Sequence, residues 1–380
     1  MARGVYIHIP FCHQICNYCD FNKVYFKNQP VDEYVESLGQ EMRLTVQENP
    51  KAFEKIETIF LGGGTPTSLS PKQLERLLLL IEENIPLDHV TEYSTEANPD
   101  ELTVEKLHVL KKYGINRLSL GVQSFNQELL RKLGRTHENE HVFETIRQAK
   151  LIGFENISID LMYGLPGQTL EQWNDTLDQA FKLELPHYSA YSLIVEPKTI
   201  FYNLLNKGKL PLPGEDSEAT MYDVLMERME EQGLHQYEIS NFGKENHESQ
   251  HNLIYWNNEE YAGFGAGASG YIDGIRYTNH GPLKKYMDAV AANERPIHHQ
   301  STVSLKEKLE EELFLGLRET AGINKQHFFE KYGKTIHEVF DQQLKKLVSQ
   351  HLIEEDEMVI RLSRQGRFVG NEVFQEFLLD

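Results

Sequence analysis

Cysteine is nearly missing from this chain: three residues in 380, all between positions 12 and 19. An odd trio confined to eight residues cannot staple distant segments, so a disulfide scaffold is excluded, and the pattern reads as a reduced intracellular cluster. No apolar run approaches the roughly 20 residues needed to cross a bilayer. Met1-Ala2-Arg3-Gly4 leads straight into a strand-like segment with no signal-peptide core, so a cytoplasmic location without a transmembrane segment is expected. Basic residues are also scarce, 38 Lys/Arg against 58 Asp/Glu, for a net charge of -20. Such a field repels phosphate backbones, which excludes nucleic acid as a general partner and leaves only transient membrane docking through a local basic patch. Hydrophobic residues at 40%, charged residues at 25% and a mean hydropathy of -0.50 exclude collagenous, low-complexity and mostly disordered chains.

What the first half does contain is strand-like runs alternating with helical patterns. The runs begin at Val5, Thr58, Glu92, Arg117, Ile157 and Tyr188; helix-like stretches cover 32–48, 71–84, 104–113, 126–133, 140–152 and 170–184. Six repeats of this kind predict an α/β fold, a parallel sheet with right-handed crossovers forming an open or closed (β/α) barrel. In such folds the ligand site gathers at the carboxyl ends of the strands. The unusual residues fall there: Cys12 after the first run, Gly62-Gly63-Gly64-Thr65 after the second, Glu96-Ala97-Asn98-Pro99 after the third, Gln123-Ser124 after the fourth and Asp160 at the close of the fifth. Residues 197–214 read as a linker. The expected division is a barrel core over 1–200, a linker helix and aromatic-rich α+β extension over 201–300, and a winged-helix-like helical domain over 301–380. That last segment holds 11 Lys/Arg against 15 Asp/Glu, which argues against DNA binding.

The cysteines have C-x3-C-x2-C spacing at Cys12, Cys16 and Cys19. Three thiolates on so short a loop suit three corners of an iron–sulfur cubane, leaving one iron open to the amino and carboxylate groups of S-adenosylmethionine. The spacing also admits a Cys3His zinc site completed by His8 or His13, or three unligated thiols.

The remaining motifs carry a resemblance. Tyr6-Ile7-His8-Ile9-Pro10-Phe11-Cys12, the Gly62–Thr67 run, Glu96-Ala97-Asn98-Pro99, Gly121-Val122-Gln123-Ser124, Asp160–Gly167 and Tyr237–Phe242 occur in the order found in the radical S-adenosylmethionine superfamily. Within it the chain resembles the branch that holds oxygen-independent coproporphyrinogen III dehydrogenase and the HemW-type haem chaperones. The resemblance implies a partial (β/α)6 barrel that carries a [4Fe-4S] cluster on Cys12, Cys16 and Cys19, with Tyr6 and Tyr18 near it. It implies S-adenosylmethionine held by Gly63, Gly64, Thr65, Glu96, Gln123, Arg135 and Asp160. A carboxylate suits the ribose hydroxyls, and Arg135 suits the methionyl carboxylate.

Against the dehydrogenase pattern, Phe21 stands where that enzyme carries a fourth cysteine, and only 11 residues precede Cys12. His251-Asn252-Leu253-Ile254-Tyr255-Trp256 fits the H-N-x-x-Y-W signature that the chaperone group associates with haem, which implies His251 as an axial ligand and His247 as an alternative. The resemblance therefore implies a haem carrier with an acceptor protein and an electron donor for the cluster. The competing expectation is radical decarboxylation of coproporphyrinogen III propionates.

Overall fold

Side chains on a strand alternate between two faces, and six strands here alternate in step. The computed structural model describes residues 1–379. Its strands are β1 (Gly4–Ile9), β2 (Phe11–Cys12), β3 (Val24–Tyr25), β4 (Thr58–Gly63), β5 (Glu92–Ala97), β6 (Arg117–Gln123), β7 (Asn156–Tyr163), β8 (His187–Ser192), β9 (His235–Glu238), β10 (Asn241–Gly243), β11 (Tyr261–Phe264), β12 (Ser269–Ile272), β13 (Ile275–Asn279), β14 (Ile297–Thr302), β15 (Ile323–Asn324), β16 (Ile353–Glu355) and β17 (Val359–Leu362). The helices of the first half are α1 (Val31–Glu48), α2 (Pro71–Asn84), α3 (Val104–Lys112), α4 (Gln127–Leu133), α5 (Asn139–Ile152) and α6 (Leu170–Phe181). The second half adds α7 (Ile200–Asn206), α8 (Glu215–Glu231), α9 (Gln250–Trp256), α10 (Leu283–Ala291), α11 (Leu305–Gly316), α12 (Lys325–Tyr332), α13 (Ile336–Ser349), α14 (Arg364–Phe368) and α15 (Gly370–Gln375).

The six expected parallel strands lie side by side in chain order, β1-β4-β5-β6-β7-β8. One face of them is apolar and fully covered: Val5, Ile7, Ile59, Leu61, Leu118, Leu120, Ile157, Ile159 and Tyr188 are all buried in the main core beneath the helices. The other face carries Tyr6, Ser94, Glu96, Arg117, Ser119, Ser158, Asp160, His187 and Ser189 around an internal cavity. Helix starts follow the expected chemistry. Ser70 and Gln73 form a reciprocal cap on α2, and the Thr103 hydroxyl accepts from the Lys106 amide to open α3.

The sheet does not stop at residue 200. β11 adds in parallel to β1, and β12, β13 and β14 follow in antiparallel; at the other edge β10 and β9 pair antiparallel onto β8, making twelve strands. The stretch read as a linker contains α7, which packs Phe201 with Leu129, Leu133 and Leu165 in a small core of its own. Helices α11 to α13 and the three-stranded sheet β15-β17-β16 form the expected winged-helix-like module around Leu313, Phe328, Phe340, Leu344 and Phe377.

Candidate functional site

The cysteine loop hangs from β1 and is tied down at several points by main-chain groups. The Val24 amide donates to the Pro10 carbonyl (2.8 Å) and the Phe26 amide to that of Cys12 (2.9 Å), closing the small β2-β3 pair. The Asn17 amide reaches the Leu133 carbonyl (2.9 Å), while the Asn22 side chain donates to the carbonyls of Ala266 (2.7 Å) and Gly281 (3.0 Å). Cys12 is buried and Cys16 and Cys19 are half-buried. All three line one cavity together with Gly63, Gly64, Thr65, Glu96, Gln123, Arg135 and Asp160. Tyr18 lines it as well. Tyr6 does not; its ring lines the adjoining internal cavity, and its hydroxyl meets His8 Nδ1 at 3.0 Å.

The strand ends set this geometry. Gly64 crosses directly over the end of β1: its amide donates to the Ile9 carbonyl (2.8 Å), and a β-carbon there would lie 2.7 Å from the Pro10 carbonyl carbon. Thr65 Oγ1 donates to Cys12 Sγ at 3.6 Å, and its amide donates to the Phe11 carbonyl. Glu96 Oε2 accepts from the Gly63 amide (3.1 Å). Burial, and then the nearby Asp160, push the Glu96 carboxyl up to about 8. Asp160 is also raised by burial, and Ser119 Oγ donates to it at 3.0 Å. It lies inside β7, which runs three residues past the expected end to Tyr163.

Arg135, just past α4, turns back across the strand ends. Nη1 donates to Asn98 Oδ1 (2.7 Å) and Nη2 to the Gly121 carbonyl, whose own β position is closed because a β-carbon would stand 2.3 Å from that guanidinium. Its Nε is buried without a partner. A free guanidinium donor on a cavity wall fits a ligand carboxylate. The zinc alternative loses its fourth ligand. His8 Nε2 is bonded to the Asn22 carbonyl at 2.7 Å, and His13 is bonded to the Ser68 carbonyl and packs on Phe26. Among the described residues no three His, Cys, Asp or Glu side chains converge tightly enough for a single ion. Three thiols spread around one cavity fit a multi-iron core better than a lone metal ion.

His251 lies elsewhere. Helix α9 closes the opposite, amino-terminal mouth of the parallel strands: Glu92 at the start of β5 accepts from the Gln250 and His251 amides at 3.0 Å each, and pairs with the buried Arg117 at 3.6 Å. The His251 ring is 1% exposed, stacks on Phe60, and uses both nitrogens, Nδ1 with Thr58 Oγ1 (2.7 Å) and Nε2 with Tyr255 Oη (2.8 Å). His251 borders the internal cavity shared with Tyr6, Ser94 and Asp160, and ligation of haem iron by its ring requires one of these two hydrogen bonds to break first. His247 is half-buried: Nδ1 meets Asn156 Oδ1 at 2.6 Å, its carbonyl accepts from Arg117, and no side chain or main-chain group among the described residues bonds its Nε2. The motif's own polar residues build a cap for the barrel mouth.

Burial without a charged partner lowers the His251 imidazole to about 3, so it is neutral in the fold. A depressed imidazole contributes stability that is complete above the unfolded value near 6.5 and is lost as pH falls towards 3. The stability advantage of the wild type over His251→Gln is expected to shrink below pH 6.5, by up to about 1.4 kcal/mol per pH unit. Denaturant unfolding of both proteins from pH 7.5 to 5 measures it, and a pH-independent difference would contradict the neutral assignment.

Sequence reasoning passed over Ser119, Asn98 and Arg117. Arg117, Ser119 and Gly121 sit at alternate positions of one strand, so the period-two pattern that exposed the apolar face also marks them as inward.

Residues 6–180 match the family profile described as Radical SAM superfamily, and residues 303–369 match the HemN C-terminal domain. The chain is 52% identical over 377 residues to the Heme chaperone HemW of Bacillus subtilis (strain 168), covering 99% of each. It is 45% identical over 378 residues to the Heme chaperone HemW of Lactococcus lactis subsp. lactis (strain IL1403), covering 100% of this chain and 98% of that protein. Among solved structures, coproporphyrinogen III oxidase (HemN) from Escherichia coli, described as a radical SAM enzyme, superposes with a TM-score of 0.85 at 25% identity over 99% of this chain and 89% of its own. With this similarity over its whole length, the chain belongs to the HemW heme chaperone family of the radical SAM superfamily.

Proposed function

We propose that this protein is a cytoplasmic haem carrier: it binds one haem, carries a [4Fe-4S] cluster and S-adenosylmethionine, and passes the haem to an acceptor protein. The observation that carries the reading is the 52% identity to a relative named as a heme chaperone, against 25% to the coproporphyrinogen III oxidase. In this reading Cys12, Cys16 and Cys19 ligate three irons of the cluster, with Tyr18 beside them and Tyr6 behind them. Gly63, Gly64 and Thr65 meet the methionyl portion of S-adenosylmethionine, Arg135 Nε takes its carboxylate, and Glu96, Gln123 and Asp160 hold the adenosyl end. The bound cofactor pair supplies one-electron chemistry; the chain supplies a water-poor, hydrogen-bonded cradle. Haem is held on the side of the molecule formed by the H-N-x-x-Y-W helix.

Anaerobically reconstituted protein given coproporphyrinogen III, S-adenosylmethionine and reductant is expected to yield no protoporphyrinogen, while the same preparation binds haem and shifts its Soret band. Turnover of coproporphyrinogen would replace the carrier reading with the enzymatic one.

A further inference from the structure

Between the barrel, α9 and the carboxyl-terminal module runs a crevice of about 650 Å3, large enough for a flat macrocycle. Its walls include Tyr191, Tyr255, Trp256 and Phe368, with Tyr191 and Phe368 partly open to solvent, and neither histidine nor cysteine is among its lining residues.

The polar groups of this crevice are unusually short of partners. Of the fourteen buried side-chain nitrogen and oxygen atoms without a hydrogen bond among the described residues, five belong to its walls: Arg318 Nε, Arg367 Nε, Trp256 Nε1, Glu238 Oε2 and Asn241 Oδ1. Buried polar groups in folded proteins are normally satisfied, so such a concentration at one cavity marks where something polar belongs. Three of the five are donors. The Arg318 guanidinium lies 4.5 Å from the Trp256 ring centre, and neither Arg318 nor Arg367 has a carboxylate within ion-pair distance among the described residues. In a chain of net charge -20, two guanidiniums without counter-ions on one cavity are a specific signal. Burial lowers Arg367 from its ordinary range, which is the cost an incoming anion would relieve. Glu238 opposes this only weakly, because burial raises its carboxyl, and its Oε1 is already occupied by the Ser240 amide and the Asn241 side chain.

We infer that haem lies in this crevice, its faces against Tyr255 and Trp256 and its two propionates on Arg318 and Arg367, with His251 serving as the buried anchor of the supporting helix. This rests on the carrier reading and deepens it. Arginine pairs carboxylates in a fixed fork, and aromatic faces accept a porphyrin plane, so the donors and the rings match the two ends of one ligand.

The test is haem titration followed at the Soret band. A charge-assisted hydrogen bond contributes enough that Arg318→Gln with Arg367→Gln is expected to weaken haem binding by roughly tenfold or more per arginine. Haem with both propionates esterified is expected to bind the wild type more weakly than haem by a similar factor. It is expected to bind the double variant as haem does. The ester comparison uses unaltered protein, so a misfolded variant cannot imitate the result. Wild-type protein that binds no haem would overturn the carrier reading itself. Wild-type protein that binds haem and its diester equally well, or a Soret shift lost in His251→Gln and kept in the double arginine variant, would overturn the crevice assignment alone.

Discussion

Cys12→Ala is expected to leave the protein without its iron–sulfur chromophore: after anaerobic reconstitution, iron and sulfide fall from about four each per chain to near zero. Cys12 differs from its two companions in being buried, placed at the end of β2 and touched by Thr65 Oγ1, so it is the thiol whose position the sheet determines most directly. The other two ride on a loop that depends on hydrogen bonds from Asn17 and Asn22. In a cubane with one iron reserved for S-adenosylmethionine, losing any protein ligand leaves two irons open, and the cluster becomes labile. S-adenosylmethionine binding is expected to fall with it, measurable by equilibrium dialysis. A variant that retains a full complement of iron would remove Cys12 from the ligand set.

Gly64→Ala is expected to have nearly as large an effect by a different route. The added methyl would meet the main chain of Pro10 at 2.7 Å, and a backbone neighbour cannot rotate away as a side chain can. Either β4 or the Pro10–Cys12 segment must shift, and that segment begins the cysteine loop. Reconstitution is expected to reach less than about half the wild-type iron content. The unfolding free energy is expected to fall by about 1–3 kcal/mol, the range of overpacked interiors. Gly114→Ala, where nothing lies within 4 Å of the new carbon, is the useful contrast. Its positive φ of +85° adds a backbone strain that Gly64 does not carry, and it lies away from the site. Equal cluster loading in the two variants would show that close packing at Gly64 is unimportant.

The alternation of the strands explains what was legible in advance. Strand-like runs at Val5, Thr58 and Arg117 separated by helical stretches are a local signal, so the parallel sheet with its crossovers could be read before any contact was known. The same alternation placed the glycine run, Glu96 and Gln123 at one end. The roles of α9, β11 and α7 were not legible, because a short helix or strand has too little periodicity to declare its partner. His251 shows the limit best. The motif drew attention to helix α9, but a hydrogen bond to Thr58, 193 residues away, holds the His251 ring facing inward, and no local pattern encodes that distance. The crevice arginines were missed for a related reason. Arg318 follows a helix and Arg367 lies within another, positions where a surface cation is ordinary, and only the absence of counter-ions around them in the folded chain sets them apart.

The pairing of β1 with β11 bears on when the site can form. Residues 4–7 find their second strand neighbour only at residues 261–264, and Asn22, in the cysteine loop, donates its side-chain hydrogen bonds to the carbonyls of residues 266 and 281. Contacts of such sequence separation are slow to close, and on a ribosome they must wait until more than two-thirds of the polypeptide has emerged. Until then the first strand is a bare edge and the thiols beside it are incompletely fenced. Assembly of the metal centre is thus a late event in the life of each new chain, and the nascent protein presents its cysteines before it can protect them.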